Sequence, residues 1–330
     1  MGRVRATNGM VAWVAAVALA AAVVSGCGSD DGEDAASGEA GSGSSAKTTE
    51  VAGVAIAVDE AAAEKLPAEF ESGIQFVTSA PYPPYEVFGA DKKLEGLDID
   101  TGDAIAATLG VESSWTSVPY DSLVPGLQSG KYDVGLADTS VSETRLEVLD
   151  MVTYFAEGLV VVVPKGNPKG IEGMQSMCGK TLLIEQGIDL FNAGVTQTQE
   201  LCREGGKPEP DVVRLPNQTS LLLGLSSSRG DGAVMAIAAA RIAVEEQADK
   251  YDLVVPEGMP QGYAPRNVAA SMAKNNKGLT AAVQAALESL MQSGKLEQLF
   301  AKYELEDLLT EVELNTVREP VVFPPGTTPE

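Results

Sequence analysis

Residues 76–110 read FVTSAPYPPYEVFGADKKLEGLDIDTGDAIAATLG. The apolar residues 74–77 (IQFV) predict a short strand, and the run Ala80-Pro81-Tyr82-Pro83-Pro84-Tyr85 predicts a loop. Residues 101–109 (TGDAIAATL) predict a helix with Thr101 as its cap, an acid in its first turn and Gly110 as its stop. A strand, a loop and a helix in succession suit a sheet built from alternating β and α elements.

Working outward, the same alternation continues. Residues 122–128 predict a short helix ending near Gly130, and residues 132–137 a strand. Residues 157–163 predict a longer strand of β-branched and aliphatic residues, the composition of a strand covered on both faces. Residues 182–184, 232–235 and 253–255 are further candidate strands. Leu279, Val283, Ala286, Leu287, Leu290 and Met291 recur at helical spacing. Gly294 breaks that helix, and Leu296, Leu299, Phe300 and Tyr303 mark another. The reading is an α/β protein with largely parallel sheets and no internal repeat.

At 330 residues with 44% apolar, the chain is long enough for about two domains, each with its own core. It carries 23 basic and 47 acidic residues, a net charge of −24, and a sequence pI near 4.3. No basic surplus is available to neutralise phosphates, which argues against non-specific nucleic-acid binding. There is no histidine. Ser-His-Asp and Cys-His nucleophile systems, His-ligated zinc and a histidine pH switch are therefore excluded.

Arg3 and Arg5 precede an uncharged apolar run at residues 10–24, shorter than the roughly 20 residues that span a bilayer. The run reads as a secretory leader and ends in Val24-Ser25-Gly26-Cys27, which resembles a bacterial lipobox. Residues 1–26 are then a lipoprotein signal peptide, and Cys27 becomes an acylated N-terminus held at the membrane by several chains, palmitate among them. Residues 27–50 are Gly, Ser, Ala and acid, a flexible tether unable to bury enough surface to order itself. Residues 305–330 read as a proline-rich tail of partial order. The remaining cysteines, Cys178 and Cys202, form an even pair outside the cytoplasm and are expected to be bridged.

The run at residues 76–110, then YDSLVPGLQSGKYDVGLADTSVSETR at 120–145, then GLVVVVPKGN at 158–167, resembles the solute-binding proteins of polar amino-acid ABC transporters over about residues 73–305. The resemblance implies a two-lobed periplasmic-binding-protein-like fold (type II), with doubly wound sheets and a ligand cleft between the lobes. It implies chain crossovers near 162–168 and 256–264. Lobe 1 then comprises residues 73–163 plus 264–304, and lobe 2 residues 164–263. The implied function is capture of a small amino-acid-like or amine ligand for a membrane permease and its ATPase, by a monomer that uses no cofactor or metal. A ligand-sensing domain for a membrane receptor, or a dehydratase-type enzyme on the same fold, are the alternatives.

Residue by residue, Arg145 matches the family arginine that pairs with the ligand α-carboxylate, as a guanidinium fork does well. Ser140 matches a position whose amide and hydroxyl bind the same carboxylate. Tyr82 and Tyr120 match positions that flank the ligand, and Gln218 a polar cleft residue of lobe 2. Three positions depart from the pattern. Ala236 stands where an acid normally binds the α-ammonium, Asp189 stands where Thr is frequent, and Asp138 occupies a Gly or Ser position. Asp138 and Asp189 are candidate anchors for an ammonium. Asp138 is alternatively a partner that weakens Arg145, or with Asp189 an acid–base pair.

Overall fold

A computed structural model of the protein describes residues 47–186, 189–319, 323 and 327–328. The leader, Cys27 and residues 28–46 of the tether lie outside the described residues. The last residues of the expected tether form a strand: β1 (Thr48–Val51) pairs antiparallel with β2 (Val54–Ala57), burying Val51, Val54 and Ile56. The short α1 (Glu60–Ala63) follows, capped by the Asp59 carboxylate on the Ala62 amide.

Lobe 1 starts with β3 (Ile74–Thr78), the strand expected at 74–77. The two-residue strands β4 (Val87–Phe88) and β5 (Leu94–Glu95) form a hairpin that leads into α2 (Leu97–Leu109). The helix starts at Leu97, four residues before the expected cap Thr101, which is buried within it. Gly96 precedes it at φ +128°, and a Cβ there would overlap the Tyr85 carbonyl. Only glycine meets both demands. Then come β6 (Ser113–Ser117), α3 (Leu123–Gln128), β7 (Val134–Gly135) and α4 (Glu143–Leu146). Of the strand expected at 132–137, only Val134 and Gly135 join the sheet.

The long strand β8 (Leu149–Pro164) starts eight residues before the expected 157 and is buried almost throughout. Lobe 2 continues with β9 (Thr181–Glu185), α5 (Asp189–Glu204), β10 (Asp211–Leu215), α6 (Gln218–Ser226), β11 (Gly232–Ala236), α7 (Ile237–Glu246) and β12 (Tyr251–Val254). The chain returns through β13 (Tyr263–Ala273) to α8 (Lys277–Gln292) and α9 (Lys295–Ala301), the two C-terminal helices expected from their spacing. It then forms β14 (Leu309–Leu314), so the expected tail begins as a strand.

The sheet order is β10-β9-β11-β8-β13-β7-β3-β6, with β12 and β14 also on β8. In each lobe three parallel strands lie with the first in the middle: β6-β3-β7 and β10-β9-β11. Each has the doubly wound pattern that leaves a crevice at the strands' carboxyl ends. The parallel sheets are joined by antiparallel β8 and β13, so the whole is mixed rather than largely parallel.

Strand β8 serves both lobes. Leu149–Glu157 pair with β13, whereas Leu159–Val162 pair with β11 and Val161–Pro164 with β12. β8 therefore changes its main partner at residues 157–159, and the valines that follow pair with β11 and β12. A register shift between Tyr263 and Arg266 marks the return crossing. Gly158 sits between: a Cβ there would overlap the Tyr263 carbonyl, so the two crossing segments touch backbone to backbone. Alternation along β8 sends Val160 and Val162 to one apolar cluster and Leu159, Val161 and Val163 to another. Each fully buried valine or leucine contributes roughly 1.5–3 kcal/mol.

Cys178 and Cys202 are bridged, tying the start of lobe 2 to α5. Replacing both by serine is expected to lower stability by about 3 kcal/mol in the chain-entropy account. Denaturant unfolding of the double variant against the oxidised parent checks this, and an unchanged midpoint refutes it.

Candidate functional site

A cleft of ≈ 970 Å³ opens beside the carboxyl ends of β3 and β7, where the doubly wound pattern of lobe 1 places a crevice. Tyr82, Tyr120, Asp138, Ser140 and Arg145 all line it. Five of the seven ligand candidates read from sequence thus share one cavity. Gln218 and Ala236 are not among its lining residues. Gln218 is the first residue of α6, whose cap is the Asn217 side chain rather than Gln218. Asp189 opens α5, and its side chain lies outside the described residues.

The turn after β7 carries Ser140, Ser142 and Arg145. Ser142 caps α4 by accepting the Arg145 amide, which fixes where the Arg145 side chain departs. Nη1 of Arg145 donates to the Ser140 carbonyl at 2.6 Å and to its hydroxyl at 2.9 Å; Nη2 donates to the Tyr120 hydroxyl at 2.8 Å. The guanidinium carbon also lies 5.8 Å from the Tyr120 ring centroid. Tyr120 therefore supports the arginine as well as facing the cleft. Ser140 offers its hydroxyl to that same arginine. No carboxylate pairs with Arg145 among the described residues, which leaves its charge uncompensated.

Asp138 does not pair with Arg145. Its backbone has φ +44°, a conformation that Asp tolerates and Gly adopts freely, which accounts for a Gly position being filled this way. Its amide donates to Asp98 at 2.8 Å, and its Oδ2 accepts from Arg266 Nη2 at 2.6 Å. The same Nη2 donates to Glu157 Oε1 at 2.9 Å, and Glu157 Oε2 accepts from the Tyr85 hydroxyl at 2.7 Å. Asp138 lines the cleft, and its Oδ1 is buried without a hydrogen-bond partner. Burial pushes the Asp138 carboxyl well above the usual range, Arg266 opposes that, and Glu157 and Asp98 add to it. Burial disfavours the Arg266 charge, but Asp138 and Glu157 beside it hold its pKa above the usual arginine value.

The loop at residues 80–86 closes the floor. Tyr82 and Glu86 exchange backbone hydrogen bonds, and Tyr82 stacks on Tyr85 with centroids 5.8 Å apart. Burial, then Asp138 and Glu157, raises the Tyr82 pKa, so the ring presents a neutral phenol. Glu86 is buried against Asp98 and Asp138; desolvation, then those like charges, pushes its carboxyl up to about 11. Asp98, desolvated but held by the Asp138 amide and the Tyr154 hydroxyl, is raised to about 6.

Sequence reading missed Glu86, Asp98, Glu157 and Arg266. Arg266 carried a signal as the lone charge of β13, and Glu157 one as an acid ahead of the apolar run at residues 159–163; the two face each other across β8 and β13. Asp98 carried one as a buried acid in the first turn of α2. Glu86 carried none.

Glu86 binds its proton far more tightly folded than at its ordinary 4.5, so folding takes up a proton between about pH 4.5 and 11. Stability therefore declines as pH rises through that window, by at most ~1.4 kcal/mol per pH unit from this group, and Asp98 adds the same sign up to about 6. Glu86→Gln, which mimics the protonated acid, is expected to flatten the decline above pH 6. Urea midpoints from pH 5 to 9 measure it, and parallel pH curves for parent and variant would refute the assignment.

Residues 74–306 match the family described as bacterial extracellular solute-binding proteins, family 3. The L-arginine-binding protein of Pseudomonas aeruginosa is 26% identical over 233 residues, covering 68% of this chain and 85% of that one. The ABC transporter arginine-binding protein 1 of Escherichia coli is 28% identical over 160 residues, 48% of this chain and 61% of that protein's length. Among solved structures, the substrate binding protein of an amino acid ABC transporter superposes with a TM-score of 0.53 at 25% identity, over 70% of this chain and 98% of that one. The L-cystine solute receptor of Neisseria gonorrhoeae in its unliganded open conformation, at 18% identity, shares the fold with a TM-score of 0.60, over 74% of this chain and 98% of that one. With its two-lobed α/β fold, the chain belongs to the family 3 bacterial extracellular solute-binding proteins.

Proposed function

We propose that the protein is the substrate-binding component of an ABC importer, capturing an amino acid in the cleft and presenting it to a permease coupled to an ATPase. The observation that carries this reading is Arg145: a guanidinium oriented by Ser140 and Tyr120, lining the cleft, with no carboxylate of its own among the described residues. An α-carboxylate supplies that partner in a bidentate geometry. The unpartnered Oδ1 of Asp138 supports a role for this residue in accepting the α-ammonium, in place of the acid missing at Ala236. Tyr82 and Tyr120 flank the ligand, and Gln218 and Asp189 meet it from lobe 2 when the lobes approach. Binding without turnover is the activity assigned.

Among the described residues no helix is long and apolar enough to cross a membrane. We assign membrane attachment to acylated Cys27, with residues 28–46 as the spacer that lets an extracytoplasmic monomer reach its permease. The specificities of the two arginine-binding relatives support an amino acid as the ligand class.

A thermal-shift panel of the proteinogenic amino acids tests the reading. A ligand at a hundredfold its Kd adds about 2.7 kcal/mol of stability, a rise of several degrees. Arg145→Ala is expected to abolish the shift while leaving the ligand-free melt within about 0.5 kcal/mol of the parent, since the side chain lies at a cleft surface. Undiminished affinity in that variant overturns the assignment.

A further inference from the structure

The family match ends at residue 306, but the cleft wall does not. After α9, β14 is laid antiparallel on β8, with Leu309 opposite Phe155 and Leu314 opposite Val152. Asn315 is tied at three points: its amide donates to the Met151 carbonyl, its Oδ1 accepts the Met151 amide, and its Nδ2 donates to buried Asp150. The Thr316 carbonyl accepts from Asn267 Nδ2 at 3.0 Å, while the Asn267 carbonyl accepts the Val141 amide beside Ser140. Val317 packs into the apolar cluster that holds Val141 and Leu149. Arg318 Nη1 donates to Gln261 Oε1 at 2.9 Å, and Gln261 in turn donates to the Leu308 carbonyl. Val317 and Arg318 line the same cleft as Arg145.

We propose that Arg318, delivered to the cleft by this anchored C-terminal segment, is a specificity-determining residue that takes the second anionic group of an amino acid bearing two carboxylates, the first being held by Arg145. The inference rests on the amino-acid-binding reading above. Its basis is the charge inventory of the cleft wall, which holds Glu86, Asp138, Glu143, Arg145, Arg266 and Arg318. Arg266 is spent on Asp138 and Glu157. Glu86 is kept protonated by burial and by its acidic neighbours. Glu143 is exposed at the start of α4. Among the described residues, Arg145 and Arg318 are the two cleft guanidiniums whose hydrogen-bond partners are all neutral: Ser140 and Tyr120 for one, Gln261 for the other. A ligand with a single carboxylate satisfies one of them; a dicarboxylic amino acid satisfies both. Guanidinium forks discriminate a carboxylate from its amide by geometry as well as charge.

Calorimetric titration of the purified chain with L-glutamate, L-aspartate, L-glutamine, L-asparagine, L-arginine and L-cystine tests this. The parent is expected to bind glutamate or aspartate at least about tenfold more tightly than the matching amide. Arg318→Gln is expected to erase that ratio while leaving affinity for the amide within about threefold, because an exposed side chain in the segment after β14 contributes little to the fold. Arg318→Lys is expected to retain part of the preference. Equal affinity for acid and amide in the parent, or an undiminished ratio in Arg318→Gln, overturns the proposal. Tight, Arg145-dependent binding of L-arginine or L-cystine without acid preference overturns it while leaving the amino-acid-binding reading intact. If none of the six binds and the wider amino-acid panel is also silent, both readings fall.

Discussion

Arg266 sits where two requirements meet. It lies on β13 opposite Glu157 of β8, at the point where both strands pass between the lobes, and its guanidinium reaches Asp138 at the cleft floor. Removing a cation from between two buried carboxylates typically costs 3–5 kcal/mol, because the acids are left without a counter-charge. That dependence ties the crossing to the cleft: Glu157 is held by Tyr85 from the loop at residues 80–86, and the Asp138 amide is held by Asp98 of α2. The floor of the cleft and the passage between lobes therefore share one network of hydrogen bonds and charges.

The network also sets which groups remain for a ligand. Four carboxylates lie within it, Glu86, Asp98, Asp138 and Glu157, yet little of their negative charge reaches the cavity. Desolvation and mutual repulsion hold Glu86 protonated, Asp98 is spent on the Asp138 amide and the Tyr154 hydroxyl, and Arg266 offsets the other pair. Buried acids in a cleft suggest a cationic ligand when counted from sequence. Paired and protonated, they form instead a nearly neutral floor against which the uncompensated guanidiniums stand out.

The repeating strand–helix units were legible because their signals are local. Apolar runs marked β3, β9 and β11, and helical spacing marked α8 and α9, since each buries one face against the same core. The start of β8 was hidden because Asp150 and Thr153 interrupt its apolar run. Both are buried, and Asp150 is matched by Lys277 and Asn315, partners more than a hundred residues away. The same long separation concealed β14, whose strand character comes from the edge of β8 that it covers rather than from its own alternating residues. In the site, Arg145, Ser140, Asp138, Tyr82 and Tyr120 were named through the resemblance to the solute-binding family, matched position by position, whereas Arg266, Glu157 and Arg318 acquire meaning only when remote segments meet.

The global charge and the local site pull in opposite directions, and distance decides between them. A chain of net charge −24 repels an anionic ligand from afar. At physiological ionic strength that field decays over about 8 Å, so most of the surface acids are screened from a molecule already at the cleft mouth. Inside, walls of Tyr82, Val141 and Val317 lower the effective dielectric, and a guanidinium a few ångströms away outweighs many screened carboxylates. The cavity charges whose partners are neutral, Arg145 and Arg318, are placed by the turn after β7 and by the segment that follows β14. An acidic exterior thus coexists with a cationic cleft, the exterior slowing the approach of an anionic ligand and the cleft deciding what stays bound.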